Sequence, residues 1–92
     1  MSYDTKIPIS PQQSRAARGL LGWSQSDLSD HSHVGQKTIA DFERGARIPQ
    51  FRTLNDIVRS FEQVGIEFIP DGSSGEGVRF KLPQLDRQLL SK

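Results

Sequence analysis

The sequence predicts an all-α domain of four to five helices that is followed by a C-terminal β-hairpin. Three patterns indicate this architecture. Residues that favour helix starts and stops divide positions 10–65 into segments of helical length. Within these segments, apolar residues recur at the spacing of one helix face. After Gly65 apolar residues alternate with polar ones, as they do in strands.

The first helix is predicted from Pro11 to about Leu21. Ser10 is its expected N-cap, because proline is favoured at the first helical position and Gln13 completes a capping box with the serine. Gly22 ends this helix, since glycine readily adopts the left-handed conformation that closes a helix.

The second helix is predicted to begin after Ser24 and to reach about Ser32. Ser24 is an N-cap, and Asp27 stands three residues later as a shorter replacement for the capping-box glutamate. Leu28 is the residue that this helix is expected to bury.

A third helix is predicted from 36 to 44, because Val34, Ile39 and Phe42 fall on one face and Gly45 supplies a stop. A fourth helix is predicted from 51 to about 64. Its inward face is formed by Leu54, Ile57, Val58 and Phe61.

The segments 66–69 and 78–82 predict two strands joined by a turn-rich loop. Phe68 and Phe80 would share one face of this hairpin. The remaining residues, 83–92, form at most a short helix that is marginal unless something packs on it. We therefore divide the chain into a flexible N-terminal arm (1–9), a helical domain (10–65), and a C-terminal hairpin and tail (66–92).

Composition excludes several classes of function. The 92 residues contain no cysteine, so disulfides, thiol nucleophiles and cysteine–zinc sites are absent. No apolar run approaches the roughly 18 residues of a membrane span, and no signal peptide is recognisable, which indicates a cytoplasmic protein. The net charge is only +1, but residues 35–60 hold five Lys and Arg against three Asp and Glu.

No enzyme, metal or cofactor site is expected. No nucleophile and base occur at a recognisable spacing, so the sequence indicates no catalytic residues. His31 and His33 are two residues apart and would point away from each other on a helix, which does not favour metal binding. Trp23 occupies an apolar position between helices and is expected to be a core residue rather than a stacking platform.

The second and third helices are separated only by the segment 31–34. Two helices joined by such a tight turn form a helix-turn-helix, whose second helix enters the DNA major groove. The stretch 18–49 resembles the helix-turn-helix of the lambda-repressor-like, or XRE, family of bacterial and phage transcriptional regulators. The matching residues are Arg18, Ser24-Gln25, Leu28, Val34, Thr38-Ile39, Phe42-Glu43-Arg44-Gly45, Pro49 and Thr53-Leu54.

This resemblance implies a sequence-specific double-stranded DNA-binding regulator, a repressor that acts as a homodimer on a pseudo-palindromic operator. It also implies roles for individual residues. For each, the alternative is that the side chain is merely exposed on a helix or has only a structural role. Base edges would be read by Gln36, Lys37 and Asp41. Phosphates would be bound by Gln25, Thr38, Arg44, Arg47 and Arg52. A buried structural ion pair would join Arg18 and Glu43.

The turn departs from the family pattern at two positions. His33 stands where the family usually has a left-handed glycine, and Gly35 stands where the third helix usually has a Ser or Thr cap. Both residue types are compatible with these positions, because His is enriched at positive φ and Gly is an acceptable N-cap.

The hairpin is the expected dimerisation element. Its apolar face must be buried against the fourth helix or a partner chain, and we favour the partner because short phage repressors of the resembling family pair through C-terminal strands. The residues concerned are Ile66, Phe68, Val78 and Phe80. Two alternatives stay open. An antitoxin would bind a toxin protein through the segment 66–92 and repress its own operon. A purely protein-binding module, whose partner could be a toxin or an anti-regulator, would not need Lys37 and Arg47.

Overall fold

The computed structural model describes residues 7–85, which contain four helices and one two-stranded antiparallel sheet. Residues 1–6 of the predicted arm and most of the predicted tail helix lie outside the described residues. The elements in chain order are α1 (Pro11–Leu21), α2 (Gln25–Ser32), α3 (Gln36–Glu43), α4 (Phe51–Glu62), β1 (Ile66–Ile69) and β2 (Gly77–Phe80).

Both predicted capping boxes are confirmed. The Ser10 hydroxyl accepts from the backbone N–H of Gln13 at 3.1 Å, and the Gln13 side chain accepts from the Ser10 N–H at 3.0 Å. Ser24 and Asp27 form the same reciprocal pair, with distances of 3.0 and 2.9 Å. These contacts satisfy backbone donors that the first turn of a helix leaves without partners, and so they fix where α1 and α2 begin.

The turn between α2 and α3 depends on a left-handed histidine. His33 has φ 61° and ψ 25°, and its N–H donates to the carbonyl of Ser29 at 2.9 Å. Two serine hydroxyls hold the turn: Ser29 donates to the carbonyl of Val34 at 2.6 Å, and Ser32 donates to that of Leu28 at 2.7 Å. α3 then begins after Gly35 without a side-chain cap.

Two helix ends differ slightly from the predicted positions. α3 ends at Glu43 rather than Arg44, and α4 ends at Glu62 rather than Val64. Both helices close through tight turns, which consume one or two residues that periodicity alone assigns to the helix.

The core lies where the four helices and the hairpin meet. Ile9, which the sequence analysis assigned to the arm, is only 1% exposed and belongs to this core. Ile66 is also buried, so the hairpin contributes to the same core. The buried apolar residues are Ile9, Ala17, Leu28, Val34, Ile39, Phe42, Leu54, Ile57, Phe61 and Ile66.

The hairpin has the predicted face but packs on its own helices. Ile66 pairs with Phe80 and Phe68 with Val78, so these four side chains share one face. Ile66 is buried, and the other three are partly buried against the core of the same chain. The sequence favours a partner chain as the cover for this face. In the structure α1 and α4 of the same chain already cover most of the face, so a partner is not needed there.

Polar contacts fix the hairpin to α1. The buried Gln13 side chain donates to the carbonyls of Ile69 and Gly77, at 3.2 and 2.9 Å. The Ser10 hydroxyl donates to Glu76 at 2.6 Å. Because Gln13 also closes the α1 capping box, the start of α1 and the end of the hairpin are held together by one side chain.

Candidate nucleic-acid interface

α3 is anchored on one side and exposed on the other. Ile39, Phe42 and Glu43 are buried, whereas Gln36 and Lys37 are exposed and Thr38 is half-buried. The residues predicted to face base edges are therefore on the side of α3 that does not pack on the core. An exposed helix face of this kind is what a major groove can receive.

Three charged side chains form a cluster on this face, which we call the Asp41 cluster: Lys37, Asp41 and Arg44. Lys37 Nζ donates to Asp41 Oδ2 at 3.3 Å, and Arg44 Nη2 donates to Asp41 Oδ1 at 3.0 Å. The hydrogen bonds from Arg44 and then Lys37 lower the pKa of Asp41 below its usual value. Asp41 is therefore charged at neutral pH and has one cation on each carboxylate oxygen.

Further basic side chains follow α3 directly. The backbone turns sharply at Gly45, which has φ 80°, and the Asp41 carbonyl accepts from the N–H groups of Ala46 and Arg47. Arg47 in this loop and Arg52 in the first turn of α4 are exposed, and neither forms an ion pair with another residue of the described chain. Both guanidinium groups are thus available to an external anion.

The position of α3 depends on a buried carboxylate. Glu43 is 2% exposed, and Arg18 Nη2 of α1 donates to its Oε1 at 2.7 Å, where the sequence analysis expected an ion pair. Ser14 Oγ donates to Oε2 at 2.6 Å, and Gln25 Nε2 of α2 donates to Oε1 at 3.1 Å. One carboxylate therefore ties three helices together.

The charge of Glu43 is set by two opposing effects. Burial raises the pKa of this carboxyl, but the hydrogen bonds from Arg18, Ser14 and Gln25 together outweigh burial, so the pKa lies below its usual value. The carboxylate is consequently ionised at neutral pH, and Arg18 provides the charge that balances it.

Two members of this network were not identified from the sequence. Ser14 lies one helical turn before Arg18 on α1, and this spacing could have indicated a second donor on the same face. Arg15 donates to the backbone carbonyl of Glu43, a contact with no local sequence signal. Gln25, expected at a phosphate, has its amide nitrogen on Glu43.

Trp23 supports the same frame. Its ring stacks on Phe61 with centroids 5.6 Å apart and on His31 with centroids 4.1 Å apart, and its carbonyl accepts from Arg18 at 3.1 Å. Trp23 thus packs against the core, as predicted, and the ring of His31 covers its outer side. Within residues 7–85, no three His, Asp or Glu residues are placed to hold a metal ion.

A groove of about 580 Å³ lies between the segment before α1, α4 and the hairpin. It contains no residue of α2 or α3, and its lining includes three carboxylates and no Lys or Arg. An anion such as a phosphate would be repelled there, in contrast to the basic segment around α3. The lining residues are Ile7, Pro8, Gln13, Val58, Glu62, Phe68, Pro70, Asp71 and Glu76.

No helix within the described part of the chain is both long enough and apolar enough to span a membrane. A search of curated proteins found no match for this chain. The family model HTH_3, described as helix-turn-helix, matches residues 15–69, which is more than half of the chain and includes α2, the turn and α3. The chain therefore belongs to the HTH_3 family of DNA-binding regulators with an XRE-type helix-turn-helix.

Proposed function

We propose that this protein is a transcriptional repressor that binds a pseudo-palindromic operator in double-stranded DNA as a homodimer. The observation that carries the proposal is the exposed face of α3, which is held on its other side by Ile39, Phe42 and Glu43. A reading helix must be rigidly positioned, because a small error in its entry angle displaces every side chain that contacts a base. The proposal requires no catalytic residue and no cofactor, and it implies a cytoplasmic location with the DNA.

Gln36 and Lys37 are the proposed base-reading residues at the start of α3. Glutamine can form two hydrogen bonds with adenine, and the lysine ammonium can donate to O6 or N7 of guanine. Both side chains are exposed. Asp41 was also predicted to face bases, by accepting from cytosine N4, but each of its oxygens already accepts from a cation.

The proposed phosphate-binding residues surround this face. Arg47 and Arg52 are exposed and unpaired within residues 7–85, and Arg44 is exposed beside Asp41. Thr38 can donate its hydroxyl, and Gln25 can donate the amide hydrogen that Glu43 does not accept. Such contacts fix the position of a protein on the duplex without reading sequence.

The hairpin is the proposed dimerisation element, in a more limited sense than its sequence pattern suggested. Ile66 is buried in the core of its own chain. A partner would therefore pack on the exposed parts of Phe68, Val78 and Phe80 and on the strand edges. A dimer increases specificity, because a single domain of this size contacts only a few base pairs and a two-fold dimer reads two half-sites.

A second candidate function is that of an antitoxin, and the acidic groove supports it. Its three carboxylates border apolar side chains, which is a surface that suits a basic, partly apolar segment of another protein. Co-expression with the product of an adjacent gene, followed by a test for a complex of the two proteins, tests this hypothesis. A complex that is lost in Glu62→Lys but retained in Lys37→Ala would favour an antitoxin.

The principal test is selection of binding sites from a random duplex library with the full chain. We expect a pseudo-palindromic site to be enriched. On that site Lys37→Ala should cost about 1–3 kcal/mol and relax the preference at one base position. Arg47→Ala should weaken binding to every sequence and lower the salt slope by about one.

Measurements on the selected site and on random DNA, by fluorescence anisotropy at several salt concentrations, distinguish the two variants. Equal losses on both duplexes for Lys37→Ala would contradict base reading. Failure to enrich any sequence would contradict the proposed function itself.

A further inference from the structure

The Asp41 cluster places an anion in the centre of the face that is proposed to meet DNA. Lys37 and Arg44 are four and three residues from Asp41, so all three lie on one side of α3. The two cationic side chains are 87% and 67% exposed, whereas that of Asp41 is 18% exposed. Asp41 therefore lies against the helix, and the cations reach outward from it.

This arrangement affects both cations before any DNA is present. Each is partly neutralised by Asp41, so a phosphate that binds either cation must compete with this carboxylate. Arg47 and Arg52 face no such competition, because they form no ion pair within residues 7–85. DNA therefore competes with Asp41 for Lys37 and Arg44, whereas Arg47 and Arg52 can bind the phosphates of any duplex without such competition.

Direct readout of cytosine by Asp41 would compete with the two cations that the carboxylate already binds. Oδ1 accepts from Arg44 and Oδ2 from Lys37, so a cytosine amino group would have to displace a cation or share its oxygen. A carboxylate that kept neither cation would face the DNA as an isolated negative charge, which is unfavourable near phosphates.

We propose that Asp41 is a specificity-determining positioning residue that acts through Lys37 and Arg44. It lowers the affinity of these cations for DNA backbone in general, and it holds Lys37 in the orientation that meets a base acceptor at the preferred site. Most random sequences lack a base acceptor at the position that the held lysine reaches, so they gain little from it. This inference rests on the proposed DNA-binding function and adds a means of rejecting wrong sequences.

Asp41→Asn is the test variant, since it keeps the side-chain shape and removes the charge. We expect its affinity for random duplex to rise about three- to tenfold, with a salt slope steeper by about one to two, because each freed cation adds a phosphate contact. Affinity for the selected operator should rise less or fall, so that the ratio of specific to random binding drops about tenfold.

Asp30→Asn is the matched control. Asp30 is exposed on α2, and its substitution makes the same change in net charge without removing an ion pair within residues 7–85. The control should raise the affinity for operator and random duplex by the same small factor and leave their ratio unchanged. Thermal melting of both variants verifies that they fold.

A double variant tests whether Asp41 acts through the lysine. In a Lys37→Gln background, Asp41→Asn should change the specificity ratio much less than it does alone. The proposal is overturned if Asp41→Asn behaves like Asp30→Asn, or if it relaxes the preference at one cytosine and leaves affinity for random DNA unchanged. Absence of an operator for the wild-type chain would instead refute the proposed function on which the inference rests.

Discussion

At the scale of single residues, Glu43 contributes to both the stability of the domain and the position of α3. A carboxylate that is 2% exposed is costly to desolvate, and it is tolerated here because Arg18 supplies the opposite charge and Ser14 and Gln25 fill the remaining acceptor positions. Its partners belong to α1 and α2, so the loss of one of them should change the orientation of α3 as well as lower the stability of the domain.

Arg18→Ala should destabilise the fold by up to about 3–5 kcal/mol at neutral pH, the cost of breaking a fully buried pair, because it leaves Glu43 charged and buried without its cation. Urea unfolding measures this loss. Arg59→Ala is the control, since Arg59 is exposed and forms no ion pair in the described part of the chain. A loss below about 1 kcal/mol, the usual value of an exposed pair, would contradict the structural role of the pair.

The same variant has a defined pH dependence. The pKa of Glu43 is lower in the folded state than its ordinary value, so its contribution is fully present above that value and is lost as the pH falls through the folded pKa. The stability difference between wild type and Arg18→Ala should therefore narrow on acidification. A difference that stayed constant down to the acid transition would show that Arg18 acts through packing alone.

At the scale of elements, the sequence predicted what is determined locally. Ser10 with Gln13 and Ser24 with Asp27 form capping boxes because the partners are three residues apart, and alternation placed Phe68 and Phe80 on one face. The resemblance indicated the left-handed His33. Local patterns of this kind are reliable because the chain itself brings these groups together.

Contacts between distant segments were not accessible in the same way. The sequence identifies Gln13 as a capping residue. It does not reveal that the Gln13 side chain also hydrogen-bonds to hairpin carbonyls, which lie 56 and 64 residues further along the chain. Ile9 precedes the first helix and shows no periodicity, yet it completes the core. The burial of the hairpin against its own helices was underestimated for the same reason, because sequence spacing does not reveal which surface covers an apolar face.

The turn between α2 and α3 offers a test at this scale. His33 has φ 61°, a conformation that costs a residue with a Cβ about 1–2 kcal/mol relative to glycine. Since glycine loses more backbone entropy on folding, His33→Gly should stabilise the domain by a net of about 0.5–1 kcal/mol. His33→Ala, which keeps the Cβ, should give no gain in thermal unfolding, and a gain of equal size would exclude relief of backbone strain.

At the scale of the whole molecule, charge is separated between two surfaces. Lys37, Arg44, Arg47 and Arg52 lie on α3 and in the segment that follows it, whereas Glu62, Asp71 and Glu76 line a groove that contains no residue of α2 or α3. A protein of net charge +1 can thus present a local basic surface to DNA and reserve an acidic one for a different contact.

The hairpin connects the domain to its proposed dimer, and the test must keep the hairpin in place. Deleting residues 66–92 would remove Ile66 from the core and the acceptors of Gln13, so a lost dimer could simply reflect unfolding. Val78→Thr is a milder change, because threonine nearly matches valine in shape and adds one hydroxyl that is costly to desolvate. Val58→Thr is its matched control, since Val58 is also partly buried against the core but lies on α4.

We expect the wild-type chain to sediment as a dimer at micromolar concentration and Val78→Thr to weaken that dimer. A two-fold interface contains each substitution twice, so a cost of about 1 kcal/mol per chain corresponds to a dissociation constant roughly thirtyfold higher. Binding to a duplex with two half-sites about 34 Å apart should weaken in parallel, while binding to a single half-site should change little. A monomeric wild type, or equal effects of Val78→Thr and Val58→Thr, would assign the hairpin to the core of its own chain and require the dimer contact to be sought elsewhere.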